Sequence, residues 1–212
     1  MFVPSFYRPP DNAWMTEIIR ANPLALLTSN GPPGEVPFAT HLASIPESFD
    51  TGSADLAGSV LLCHLNRMNP HWSALEDGTA ALLTFTGPHG YVTPTVYAYE
   101  PAAPTWNFTS IHVRGTVQKI ESVEETLDVV MATVRTFEGR FGSDWDMTGS
   151  IGYFRRIVPG VGAFRVRVTG ADGMFKLSQE QSGEVRGRIR RSFGAHPCTH
   201  YRAMAGLMDR LT

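Results

Sequence analysis

The sequence predicts an α+β protein that is mainly β: an antiparallel barrel with helices at one side. Two observations carry this. Strand-like segments outnumber what an alternating βαβ layout uses, and several follow one another directly. Phe108–Ile120 and Ala163–Val168 alternate apolar and polar residues, the period of a half-buried strand.

The elements follow in order. Asp11 to Arg20 reads as a short helix capped by Asp11 or Asn12. Leu24–Thr28 and Val36–Ile45 read as strands joined by the turn-rich SNGPPGE. Pro46–Gly58 is polar and turn-like. Ser59–His64 (SVLLCH) is apolar enough for a buried strand. Asn69-Pro70 opens a short helix, with Asn at the N-cap and Pro at the first helical position. Ala80–Thr86 is a strand, and Gly87–Gly90 (GPHG) reads as a turn. Ser122-Val-Glu-Glu125 is a capping box that opens a helix of about 18 residues ending near Gly139–Gly142. Trp145–Ile157 reads as a second, shorter helix. Ala171-Asp172-Gly173 reads as a turn after the last strand. Ser182–Ser192 and Tyr201–Leu211 look helical, so the expectation is one barrel domain over 1–212 with a helical extension at 182–212.

The chain has 212 residues, enough for a core without staples. Its net charge of −2, from 18 Lys and Arg against 20 Asp and Glu, gives no electrostatic argument for nucleic acid or membrane. Two cysteines, Cys63 and Cys198, suggest neither a disulfide framework nor a Cys-rich zinc site. The start, MFVPSFYRPPDNAW, lacks the basic and apolar regions of a signal peptide, and no apolar run has membrane-spanning length. A soluble cytoplasmic protein is the expectation.

Chemistry-bearing side chains concentrate between Gly87 and Gly115. Rings and hydroxyls among turn residues suit a flat ligand better than a plain loop. His64 ends an apolar strand. Such a histidine is ordinarily bonded to backbone, but neutral imidazole is also the commonest protein donor to haem iron. Without CxxCH any haem would be non-covalent. His41, His89 and His112 lie on segments that could pair and line one face, while His71, His196 and His200 read as surface. Arg67, Arg114 and Lys176 suit phosphate or propionate groups, or simply solvent. No P-loop, GxGxxG, HExxH or GxSxG pattern is present.

The ordered motifs MFVPSFYRPPD, FATHL, HLNRMNPHW, GPHGYVTPTVY, PTWNF, HVRG and FKLSQ resemble the PaiB-type FMN-binding split-barrel family, from Met1 to about Gln181. The resemblance implies a six-stranded Greek-key split barrel that dimerises and holds a flat cofactor between subunits. Some members act as negative regulators of sporulation and protease genes. Where the family usually has YxSPSWY, this chain has Tyr91-Val-Thr-Pro-Thr-Val-Tyr97, so Val96 stands at the Trp position and opens space.

The segment GSDWDMTGSIGYFRRIVPGVGAF, followed by MFKLSQEQ, is similar to the haem-dependent piperazate synthase branch. That branch uses the same barrel for haem b. The resemblance implies His64 as the axial ligand to iron and N5-hydroxy-L-ornithine as substrate. The product would be L-piperazic acid, formed by N–N closure with loss of water. It places His89, Tyr91, Thr93, Thr95 and Lys176 among the catalytic or wall groups. Arg67, Val96, Trp106, Arg114, Lys176 and Gln179 stand beside His64 among the cofactor-binding positions. Two other readings stay open. One is an FMN-binding regulator or reductase-like protein, although a direct DNA binder would show a basic patch or helix-turn-helix. The other is a haem carrier or haem-degrading protein.

Overall fold

A computed structural model describes residues 1–49, 55–143 and 145–211. Six strands form a closed antiparallel barrel in the order β1-β2-β3-β6-β5-β4. They are β1 (Leu24–Ser29), β2 (Phe38–Ser48), β3 (Val60–Asn66), β4 (Ala80–Val92), β5 (Thr105–Ile120) and β6 (Val161–Lys176). Closure leaves no unpaired sheet edge. The link from β3 to β4 leaves the neighbour sequence, because β4 pairs with β1, Leu27 facing Leu83.

Among the described residues, six α-helices accompany the strands: α1 (Asn12–Ala21), α2 (Pro70–Ala74), α3 (Val123–Phe141), α4 (Ile151–Ile157), α5 (Gly183–Gly194) and α6 (Thr199–Arg210). Local chemistry sets their starts. Asp11 Oδ1 accepts from the Ala13 and Trp14 amides at 2.8 and 3.3 Å, which settles the α1 cap. Asn69 accepts from the His71 amide at 2.9 Å, with Pro70 behind it. Ser122 accepts from the Glu125 amide at 3.2 Å. The other half of the expected capping box is absent: the Glu125 carboxylate pairs with Arg165 at 2.8 Å instead. None of the helices among the described residues is long and apolar enough to cross a membrane.

Three expectations are corrected. The GPHG segment is not a turn but part of β4, which continues to Val92. Pro88 has no amide to give, and its carbonyl is taken by the Thr109 hydroxyl at 3.2 Å, so the strand survives the proline. Ala171-Asp172-Gly173 lies inside β6, with Asp172 facing the N-terminal ammonium at 3.3 Å. The helix read over 145–157 is shorter, Ile151–Ile157, preceded by a 3-10 turn at Thr148–Ser150. The polar stretch read over 46–58 lies partly outside the described residues; its first residues, to Ser48, extend β2.

The chain divides into two compact units: Met1–Ala21 with Thr86–Ile111 and Asp172–Thr212, and Asn22–Phe85 with His112–Ala171. The second has Leu27, Leu61, Leu83, Phe85, Phe164 and Val166 fully buried. Each such side chain contributes about 1.5–3 kcal/mol. There α3 packs against Ile45, Leu62, Ile120 and Ala163 through Val129, with Ala132 and Phe137 beside it. Arg165 joins Glu47 and Glu125, both at 2.8 Å, across the top of that contact. The first unit has its own buried set, including Ile19, Ile111, Phe175, Leu177, Ile189 and Met204.

Candidate functional site

Alternation along β3 separates two nucleophilic side chains. Cys63 is fully buried, its thiol donating to Ser44 Oγ at 3.5 Å, and burial pushes its pKa up to about 12. The next residue, His64, turns toward a groove of about 700 Å³, a volume within the usual range for small-molecule sites. Burial lowers the pKa of His64 from its ordinary value of 6.5, so the ring is neutral at pH 7, the form that ligates metals. Its Nδ1 is buried and has no hydrogen-bond partner. No protein group therefore fixes the tautomer, and an orphaned buried nitrogen costs roughly 1–3 kcal/mol until a ligand or water relieves it.

The groove walls are mostly apolar. Leu42, Leu65, Met68, Ile157 and Val161 line it, and His41 joins His64 there. Arg67 builds the rim: its amide donates to the Gly160 carbonyl and its Nε to the Val161 carbonyl, each at 2.9 Å. The same guanidinium lies 5.4 Å from the Trp72 ring centroid, and Lys119 Nζ lies 4.3 Å from it. Beneath that ring Gly162 is required, because a Cβ there would sit 2.5 Å from the indole. Gly162 faces Leu65 and Ala163 faces His64 in the β3–β6 register, so the packing of Trp72 locates the strand that borders His64.

His71 corrects a further expectation. It is not on the surface but 1% exposed, between Ser29 Oγ and Thr40 Oγ1, both at 2.9 Å, and stacked on Phe38. Two hydroxyls replace the water it gave up, and burial lowers its pKa.

The β4 motif residues lie in the other unit. His89 is half-buried, with Nδ1 3.3 Å from the Gly87 carbonyl and its ring 4.5 Å from that of His200 and 6.0 Å from Trp106. Tyr91 meets Trp106 edge-on at 5.8 Å, and the two are 42% and 51% exposed. The Thr93 and Thr95 hydroxyls bond each other at 3.1 Å. Val96 is half-buried, and its carbonyl accepts from Arg188 at 3.0 Å. Lys176 Nζ donates to the Thr105 hydroxyl and lies 5.9 Å from the Tyr7 ring centroid. Gln179 folds onto its own turn, accepting from the Leu177 amide and donating to the Phe175 carbonyl, both at 2.6 Å. Arg114 is exposed on β5, and His112 is half-buried on the same strand.

Thus His64 and His41 share one groove, with Arg67 bonded to its lining residues Gly160 and Val161, while His89, Tyr91 and Trp106 share one aromatic cluster. The sequence reading did not single out Arg188 or Tyr201, whose partners lie about 90 and 110 residues away. A neutral imidazole that lines a mostly apolar groove, with one nitrogen uncommitted, fits a residue that would hold haem iron. Among the described residues, no three His, Cys, Asp or Glu side chains are grouped to hold a bare metal ion.

A family model described as "Putative FMN-binding domain" matches residues 1–170, and the chain belongs to that family. The protease synthase and sporulation protein PAI 2 of Bacillus subtilis is 24% identical over 186 residues, covering 86% of this chain and 84% of that protein. Two solved structures are similar in fold. A FAD and heme binding protein from Mycobacterium smegmatis is 15% identical, with a TM-score of 0.57, over 80% of this chain and 73% of that one. The flavocytochrome Anf3 from Azotobacter vinelandii is 18% identical, with a TM-score of 0.56, over 80% and 69%.

Proposed function

With that family as the premise, we propose that the chain is a haem b-dependent piperazate synthase working as a homodimer. It converts N5-hydroxy-L-ornithine to L-piperazic acid. The observation that carries this reading is His64: a half-buried neutral imidazole that lines a mostly apolar groove, with its buried Nδ1 unclaimed. The motif run through Gly160 and the small Val96 at a usual Trp position support it. So does a fold neighbour whose name includes heme.

The reaction is redox-balanced within the substrate. An N–N bond forms between the α-amine and N5, the N5–O bond breaks, and the amine proton and hydroxyl leave as water. Bound haem supplies an iron centre that polarises the N–O bond. The chain's own residues do the rest. His64 would hold the iron, and Leu42, Leu65 and Val161 would set an apolar lining beside it. By the family resemblance, Tyr91, Thr93, Thr95 and His89 are the motif positions for substrate contacts. Lys176, Arg67 and Arg114 are the motif positions for carboxylate or propionate groups, whereas Gln179 is committed to its own turn.

Purified protein is expected to be red with a Soret band. With N5-hydroxyornithine and no added reductant, it is expected to give a product one water lighter. A haem-loaded protein that makes no such product leaves a haem carrier. The second reading, an FMN-binding regulator, is favoured by the family model and the Bacillus relative. A yellow protein with a flavin spectrum selects it and sinks the haem reading.

A further inference from the structure

The segment Tyr91–Tyr97 is gripped at both ends by the two C-terminal helices. At its start, the Tyr91 amide donates to the Tyr201 hydroxyl of α6 at 3.0 Å. Gly90 is needed just before it: a Cβ there would lie 3.1 Å from both Phe193 of α5 and the Tyr201 ring. Those two rings meet edge-on at 5.0 Å. At the segment's end, the Arg188 guanidinium of α5 spans two successive carbonyls. Its Nε donates to Val96 at 3.0 Å and its Nη2 to Tyr97. Glu184 accepts from Nη1 at 2.6 Å and steadies the fork. The helices are themselves joined, Arg190 to Asp209 at 2.7 Å, with Arg186 on the Met208 and Leu211 carbonyls. Between the two anchors stand Thr93, Thr95 and Val96. All of the gripping side chains lie beyond the residues that the family model matches, 1–170.

We infer that Arg188 and Tyr201 are positioning residues: they hold the Tyr91–Tyr97 segment, and with it Thr93, Thr95 and Val96, in one conformation. The consequence for turnover rests on the synthase reading. A planar fork across two carbonyls restrains a backbone more tightly than one point charge does.

The test uses full-length protein with Arg188→Ala, read by amide hydrogen exchange, haem titration and steady-state kinetics. Exchange over 91–99 is expected to rise about tenfold or more, with the rest of the protein unchanged. The kcat/KM for N5-hydroxyornithine is expected to fall about tenfold to a hundredfold, with the Soret band intact. Arg188→Lys is expected to recover little of it. Unchanged exchange over 91–99 overturns the clamp. Faster exchange with unchanged kcat and KM overturns its role at the site. If Arg188→Ala does not fold, Tyr201→Phe decides, since it removes one oxygen and is expected to shift the same quantities by less. Wild-type protein that holds haem but makes no product sinks the synthase reading instead, and exchange still decides the clamp.

Discussion

On β3 the His64 imidazole keeps a buried nitrogen that nothing in the protein claims, whereas on β4 the His89 imidazole is turned to the Gly87 carbonyl and set among His200 and Trp106. In the sequence, His64 is the expected iron ligand and His89 one of several expected catalytic or wall groups. Their surroundings differ in what is left over. Around His89 ring contacts and a carbonyl already satisfy much of the side chain, so its first duty is to shape a surface. At His64 an apolar groove surrounds a donor with spare capacity, which is what a cofactor iron needs. The richer motif therefore has fewer groups to spare than the plainer strand end.

The largest expected effect tests that contrast directly. His64→Ala is expected to abolish the Soret band while the protein stays folded by circular dichroism, whereas His89→Ala is expected to leave the band in place. Equal loss in both variants breaks the comparison. Next in size, Gly162→Ala drives a methyl into the Trp72 indole and is expected to cost about 1–3 kcal/mol in denaturant unfolding. It is also expected to weaken haem binding, because the displaced strand borders His64. An unchanged midpoint would show that Trp72 has room to move.

Val96→Trp restores the aromatic residue usual in the family and is expected to hinder haem entry. Haem affinity equal to wild type would remove Val96 as the determinant. The smallest effect concerns His71, whose folded-state pKa is lowered. As pH falls through the ordinary value of 6.5, the unfolded chain takes up the proton first, so stability contributed by neutral His71 is lost from there downward. His71→Gln is expected to flatten that acid limb of the melting-temperature profile.

Much of the fold was legible because its signals are local. The Asn69-Pro70 cap, the Ser122 cap and the alternation along β5 each depend on neighbours within a few residues. The errors came where distant contacts override local preference. GPHG reads as a turn by composition, yet Thr109, Phe193 and Tyr201 hold it in β4. His71 follows a proline in a short helix and reads as surface, yet Ser29 and Thr40, 42 and 31 residues away, receive it in the interior. At the site, the His64 strand end was readable, but the groove was not. Its rim depends on Arg67 reaching Val161 across 94 positions of chain. Arg188 likewise looks like any helical arginine until its two carbonyl partners are placed.

The strand alternation that hides Cys63 has a practical result. Cys198, at the start of α6, is the exposed thiol, and Cys63 is both sealed in and held protonated. A thiol-specific reagent will thus modify the native protein once and the denatured protein twice. The second modification counts molecules that have opened, and the first places a dye on the helix that grips Tyr91, without any engineered residue.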